Sequence, residues 1–323
     1  METLLKKSQN EKKVSHQLIK IGTRASKLAL WQAYHVADLL QKAGLASEII
    51  PIDTKGDQVL DVSISKIGSK GVFTQELEDQ LLDGSISIAV HSAKDMPSSL
   101  GEGLELIAFS AREQAHDVLL STKKGVALSD ANLVVGTSST RRIATLKHFY
   151  PHVKTVEVRG NLQTRIRKME EGLCDALLLA YAGVYRMGYA NQVVEHLDLN
   201  QFIPAVGQGS IAIEASASLD SKLREAIVSA CNDTATAICL RAERAYLRVL
   251  EGGCSIPVFA LATQADNQVH LKGGILSLDG QQRIVLEQTG PFTEAEQLGE
   301  ALALQVLRAG GKTILEQIKQ SPH

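Results

Sequence analysis

Aromatic side chains are scarce in this 323-residue chain: Phe, Trp and Tyr make up 4%, with a single Trp. A platform for single-stranded nucleic acid stacks bases on exposed aromatics, so that class is excluded. Charge of one sign is also missing. Lys and Arg number 34 against 36 Asp and Glu, a formal net charge of -2. Nothing there draws the protein to nucleic acid or to an anionic membrane. Cysteine is sparse, with Cys174, Cys231, Cys239 and Cys254 and no CxxC pair. No His lies beside them at zinc-ligand spacing, so no metal is expected. Unpaired thiols fit a reducing compartment. No apolar run approaches ~18 residues, the length that spans a bilayer. The opening "METLLKKSQNEKKVSHQ" has no apolar centre and no Arg, so residues 1–17 are expected to be a solvated tail. A cytoplasmic protein is the expectation.

What is present is ordinary globular material: 44% hydrophobic and 22% charged residues. A chain of this length makes two or three domains and buries roughly 75% of its unfolded surface without staples. Strand candidates are "LIKIG" (18–22), "EIIPI" (48–52), "SIAVHS" (87–92), "LELIAF" (104–109), "NLVVG" (132–136), "TVEV" (155–158) and "DALLLA" (175–180). Helical patterns lie between most of them: 26–43 closed by Gly44, 72–82 with Phe73, Leu77 and Leu81 on one face, 139–149, and 161–171 before Gly172. Such alternation predicts largely parallel, covered sheets. After about residue 230 the pattern changes to a long helix, "TATAICLRAERAYLRVLEG", three strand-like stretches and a closing helix near 293–309. The fold class is therefore α/β, two α/β domains plus a smaller C-terminal α+β domain.

One local pattern recurs. "IGTRAS" (21–26) is a strand end, then Gly-Thr, then Ser26 at a helix start, with Arg24 in the turn. "VGTSSTRR" (135–142) repeats it with Thr137, Ser138 and Ser139 before Arg141 and Arg142. "VRGNLQTR" (158–165) is a looser copy with Arg159 and Arg165. Free N–H groups at a helix start bind anions, and arginine forks carboxylates. Read structurally, Ser26 and Ser139 cap helices and the arginines make surface ion pairs. Arginine in a first helical turn opposes the helix dipole, however. Three such places point to a ligand with several negative groups. No complete phosphate loop is present: "GGKT" (310–313) lacks the first Gly, and "GQGSIA" (207–212) is a lone, weak match to G-x-G-x-x-A. Carboxylates are the better reading.

"AVHSAKDMPSS" (89–99) runs from a buried strand into a loop carrying Asp95. Ligands sit beyond the carboxyl ends of such strands, where an acid can stabilise a cation or move protons. The alternative is an Asp that only begins a turn before Pro97, and His91 and Ser92 can equally be structural. "LEGGCSIP" (250–257) presents Cys254 behind two glycines, either a plain turn or a thiol displayed for attachment.

Ten stretches together resemble one family, porphobilinogen deaminase (hydroxymethylbilane synthase). They are "IGTRASKLALWQA", "TKGDQVLD", "SKIGSKGVFTQELE", "AVHSAKDMP", "VVGTSSTRR", "VRGNLQTR", "LLAYAGVYRMG", "AVGQGSIAIE", "AERAYLRVLEGGCSIPV" and "GGKTIL", in the family's order from about residue 18 onward. The resemblance implies two domains like periplasmic binding proteins and a third that carries the cofactor. Its domains would be 18–111 with 210–229, then 115–205, then 233–323. It implies a dipyrromethane cofactor in thioether linkage to Cys254. It implies deamination of porphobilinogen, condensation of four units, and hydrolytic release of hydroxymethylbilane by a monomer. Asp95 would stabilise the methylene-pyrrolenine cation and assist protonations. Arg24, Ser26, Thr137, Ser138, Ser139, Arg141 and Arg142 would grip carboxylates. Arg159, Arg165 and Arg186 would add to them, with Lys94 and Gln208 lining the site. Lys66, Lys70 and Phe73 would lie in or beside a loop over the cleft. Thr140, Lys55 and Ser210 depart from the common Leu, Arg and Ala without removing a charged or nucleophilic group. A dicarboxylate-binding module on the same scaffold would not need Cys254, and a nucleotide enzyme would need "GQGSIA" to bind nucleotide.

Overall fold

The structure is a computed structural model, and it describes residues 18–54, 74–251 and 256–320. Strand β1 (Ile19–Arg24) leads into α1 (Lys27–Lys42), whose N-cap Ser26 accepts a hydrogen bond from the Ala29 N–H at 3.4 Å. Helical spacing turns Ala29, Ala33, Val36 and Leu40 inward. Strand β2 (Ser47–Ile52) returns parallel to β1, in register from Ile19 opposite Ser47 to Arg24 opposite Ile52. Helix α2 (Gln75–Leu82) and β3 (Ile88–Ser92) follow, then a single tight turn at Ala93–Asp95, then β4 (Leu104–Phe109).

The chain then crosses to a second lobe. It contains β5 (Asp117–Leu120), β6 (Val134–Gly136), α3 (Thr140–Phe149), β7 (Lys154–Val156), α4 (Leu162–Glu170), β8 (Ala176–Ala180), α5 (Tyr181–Arg186) and β9 (Val193–His196). It crosses back to β10 (Ile211–Ser216) and α6 (Ser221–Cys231). The first sheet is ordered β2-β1-β3-β10-β4 and the second β7-β6-β8-β5-β9. The layouts match: three parallel strands, then one antiparallel strand, then an edge strand. These are two α/β lobes of like build, with all six residues of β10 buried.

The expectation of largely parallel sheets needs correction, because each sheet is mixed. β10 runs antiparallel to β3 and β4, and β5 antiparallel to β8 and β9. The reason is where the crossovers enter. Ile211, the first residue of β10, pairs with Ser92, the last of β3. Asp117, the first of β5, pairs with Ala180, the last of β8. A chain arriving from the other lobe enters at the end of the sheet that faces that lobe, so its strand runs against the rest. Both lobes thereby present the carboxyl ends of their parallel strands to one cleft.

The third unit begins with α7 (Thr234–Val249), whose N-cap Asp233 accepts from the Thr236 N–H at 2.7 Å. β11 (Val258–Ala265), β12 (Gln268–Leu276) and β13 (Arg283–Pro291) form an antiparallel sheet against α7 and α8 (Ala295–Val306). The core there is built on Tyr246, Ala260, Leu271, Ile275 and Leu302. The expected single closing helix is two helices. Gly310, at φ 113°, breaks the path after α8, and α9 (Lys312–Gln320) follows. Glu243 of α7 fastens this unit to the crossovers. It is fully buried, salt-bridged to Arg112, and accepts from the N–H groups of Gly207 and Ala262, both at 2.8 Å.

Candidate active site

β3 delivers Lys94 and Asp95 to the cleft on the turn that follows it. That turn is fixed from outside. The Ala93 N–H donates to the Ser210 carbonyl at 3.0 Å. Gly207, at φ 75°, lies so close that a Cβ there would stand 2.8 Å from the Ala93 carbonyl carbon. Only glycine combines that backbone with that approach. A cavity of about 70 Å³ opens beside the turn, lined among others by Arg24, Ser26, Gln32, Thr74, His91 and Asp95. Arg24 ends β1 and Ser26 begins α1, so both come from the strand-to-helix junction. Gln32 reaches across and donates to the Ser92 hydroxyl at 2.9 Å.

Cations from both lobes act on this acid. The Lys94 ammonium is enclosed, although part of the side chain keeps accessible surface. Burial pushes its pKa down to about 8; Asp95 and Asp117 oppose that fall, while Arg141 and Arg142 add to it. Arg165 is lowered to about 10 by burial first and then by Arg142, with Asp95 opposing. Its Nε donates to the Gly160 carbonyl at 2.7 Å. Lys94 and Arg165 therefore stand within electrostatic reach of Asp95, and Arg142 within reach of both cations.

The two arginines that open α3 are not simply aimed into the cleft. Asp117, fully buried at the start of β5, bridges them: Arg141 Nη2 reaches Oδ2 at 2.8 Å and Arg142 Nη2 reaches Oδ1 at 2.7 Å. Burial would raise the Asp117 pKa, but the two guanidiniums overcome it and hold the carboxyl well below the usual carboxylate range. Arg141 also donates to the Ile203 carbonyl at 2.9 Å and Arg142 to the Leu178 carbonyl at 3.0 Å. Arg141 is thus held by a buried counter-charge and a carbonyl on the second lobe. The physical reason is that two arginines in a first helical turn, 5% exposed, need a counter-charge. Arg142 differs in one respect: its buried Nε has no hydrogen-bond partner among the described groups. Gln208, 1% exposed, donates to Asp117 Oδ1 at 2.9 Å and to the Ala115 carbonyl at 2.6 Å, so it braces Asp117.

The remaining expected ligands fall into two groups. Ser138 donates to the Val158 carbonyl at 2.7 Å, and buried Thr137 accepts from the Ser139 N–H at 3.2 Å, so both hydroxyls shape the loop. Ser139 precedes α3 without a side-chain cap bond to it. Arg159 pairs with Glu157, Nε to Oε1 at 2.6 Å. Arg186 donates to the Gly209 carbonyl at 2.7 Å and lays its guanidinium over Trp31, 5.3 Å from the ring centre. It ties the second lobe to α1 of the first. Cys254, Lys66, Lys70 and Phe73 lie outside the described residues. Among the described residues no group of three His, Cys, Asp or Glu side chains is placed to hold a metal.

Sequence reasoning missed Asp117, Arg112 and Glu243. Asp117 had a signal: adjacent arginines in a first helical turn require a buried acid, and "HDVLLS" offers one at the head of an apolar run.

Comparison with known proteins gives consistent matches. Residues 19–225 match the family model described as porphobilinogen deaminase, dipyromethane cofactor binding domain, and residues 237–308 that of the porphobilinogen deaminase C-terminal domain. Porphobilinogen deaminase of Cytophaga hutchinsonii is 55% identical over 306 residues, covering 94% of this chain and 98% of its own. Porphobilinogen deaminase of Desulfosudis oleivorans is 53% identical over 304 residues, with the same two coverages, 94% and 98%. Among solved structures, the VFT2 domain of Bordetella pertussis BvgS aligns at a TM-score of 0.42 and 17% identity, over 69% of this chain and 90% of its own.

Proposed function

The chain belongs to the porphobilinogen deaminase family, and from that premise we propose how its residues divide the work. The enzyme is a hydroxymethylbilane synthase. It deaminates porphobilinogen, joins four units head to tail on a dipyrromethane, and releases hydroxymethylbilane by hydrolysis for tetrapyrrole synthesis. When bound, the dipyrromethane supplies an electron-rich ring whose free α-carbon accepts the first unit. Cys254 is its thioether anchor. Its acetate and propionate arms suit the cleft: the Arg142 Nε is a buried donor without a partner, and Lys94 has a depressed pKa that a carboxylate would restore. Arg24, Ser26, Ser139 and Arg165 complete the carboxylate-binding wall. Asp117, Arg141 and Gln208 hold that wall in shape.

Asp95 is the catalytic acid. As ammonia leaves porphobilinogen, positive charge spreads into the pyrrole ring, and a carboxylate at contact stabilises it. The observation that carries this is one acid on a clamped turn, at the cavity of Arg24 and Ser26, with Lys94 and Arg165 acting on it. The cations bind the substrate's carboxylates, and the acid meets the charge that develops at its aminomethyl carbon. We further propose a cytoplasmic monomer. Cys174, Cys231 and Cys239 are buried free thiols, which suits a reducing compartment.

The test uses intact mass and turnover together. Asp95→Ala is expected to keep the mass of a dipyrromethane and lose turnover by about 10²–10⁴-fold. Cys254→Ser is expected to lack that mass. Near-normal turnover of Asp95→Ala would overturn the role given to Asp95.

A further inference from the structure

Beneath the Asp95 turn lies a second set of titratable side chains that these roles leave unused. His91, on β3, lines the same cavity as Asp95. Its Nε2 stands 3.1 Å from Oε2 of Glu214 on β10. Glu214 is 0% exposed, and neither of its oxygens has a hydrogen-bond partner among the described groups. Glu78 of α2 also faces the pair; burial raises its pKa, Thr74 opposes, and the charge of Glu214 adds to the rise. Arg244 of α7 interacts with Glu214 from farther off, with its Nη2 on the Pro97 carbonyl at 3.0 Å.

A carboxylate enclosed in this way persists only with its charge compensated. His91 is the side chain at contact distance that can carry that compensation, as an imidazolium. Packing does not explain the choice of residue. The flanking Ile213 and Ala215 of β10 are buried and apolar, and an apolar side chain at 214 would fill the sheet without that demand. The cavity that His91 and Asp95 share carries Ser26, Gln32, Thr74 and Ser92 on its walls beside Leu28, Ala29 and Val90, and about 70 Å³ accommodates ordered water held by those polar groups.

We propose that Glu214 and His91 are positioning residues that store a proton for Asp95 and exchange it through this cavity. The proposal rests on the role assigned to Asp95. The stoichiometry of each addition shows the need. The C–N bond of the aminomethyl ammonium breaks, and ammonia leaves with the electron pair. A C–C bond forms at the acceptor ring carbon, which then gives up its proton. Overall that proton and the ammonia appear as ammonium. The stored proton leaves with the ammonia as ammonium, Asp95 takes the ring proton and passes it to His91, and Glu214 stabilises the restored imidazolium.

The test is Glu214→Gln in holoprotein whose dipyrromethane has been verified by intact mass. The expected result is at least a tenfold fall in kcat, a KM for porphobilinogen within about twofold, and a larger solvent deuterium isotope effect on kcat. Glu214→Asp, which keeps the charge, is expected to recover most of the rate. Unchanged kcat and isotope effect in Glu214→Gln overturn the proposal. If that variant yields no holoprotein, His91→Gln takes its place: a lower kcat with a larger isotope effect supports the proton store, and unchanged values overturn it. Asp95→Ala is assayed beside them. If it is inactive while Glu214→Gln is normal, only the proton store fails; if it is active, the role of Asp95 itself fails.

Discussion

Lys94 and Asp117 carry the consequences of burying charge next to charge. Lys94 has a pKa near 8, against about 10.4 for an exposed lysine. Between those values the unfolded chain binds the extra proton, so stability rises with pH across that window. Cofactor-free protein should therefore become more stable as pH is raised from about 8 toward 10, in urea titrations at a series of pH values. Carboxylates bound at Lys94 would raise its pKa, so holoprotein should lose most of that slope; equal slopes would contradict Lys94 as a ligand. Asp117 behaves oppositely. Its pKa is depressed in the fold, so its contribution is present above the ordinary Asp value and is lost as acid protonates it. Asp117→Ala leaves Arg141 and Arg142 buried without their shared acid. The expected cost is about 3–5 kcal/mol, read as a lower urea midpoint at neutral pH.

Among the elements, the strand-end turn and the second crossover act as one piece. Gly207 abuts Ala93, and Ser210 accepts from its N–H, so the "AVGQG" loop sets where Asp95 points. Gly207→Ala would add a Cβ 2.8 Å from the Ala93 carbonyl carbon at a backbone angle that favours glycine. It is expected to cost about 1–3 kcal/mol. Turnover should fall by more than stability explains, because displacement of a catalytic group by about 1 Å can cost 10²-fold. Normal kcat in Gly207→Ala holoprotein would show that the loop does not position Asp95. Much of this layer was legible beforehand. β1, β3, β4 and β8 follow the apolar runs, α1 and α4 follow the helical spacing and their caps, and α3 follows the spacing. β5 and β9 escaped because four-residue strands carry little periodicity, and β5 opens with a charged residue.

Across the molecule, three units meet at the crossovers. Glu243 and Arg112 join the third unit there, and Arg186 and Trp31 join the two lobes. The chain has one Trp, so its emission reports the surroundings of Trp31 alone, the Arg186 guanidinium and the stacked His35 among them. Arg186→Ala should change the Trp31 emission while far-ultraviolet circular dichroism stays constant. If elongation shifts the lobes against each other, porphobilinogen should change the emission of the parent holoprotein and do so much less in Arg186→Ala. Identical emission in both proteins would mean that the contact does not persist in solution.

Residue order was enough to locate most elements, the change of pattern after about residue 230, the anion-seeking turns and Asp95 at a strand end. These are local matters of spacing, caps and turn chemistry, which neighbouring residues settle. Which cations stay available was settled only by folding. Arg141 and Arg142 read alike in "STRR", yet Arg141 is engaged by Asp117 and Ile203 while Arg142 keeps a buried Nε without a partner. Folding also made β5 and β10 run against their neighbours, and brought Glu214 to His91. Each of these depends on groups far apart in the chain competing for the same counter-charge or sheet position, and one-dimensional spacing carries no record of that competition.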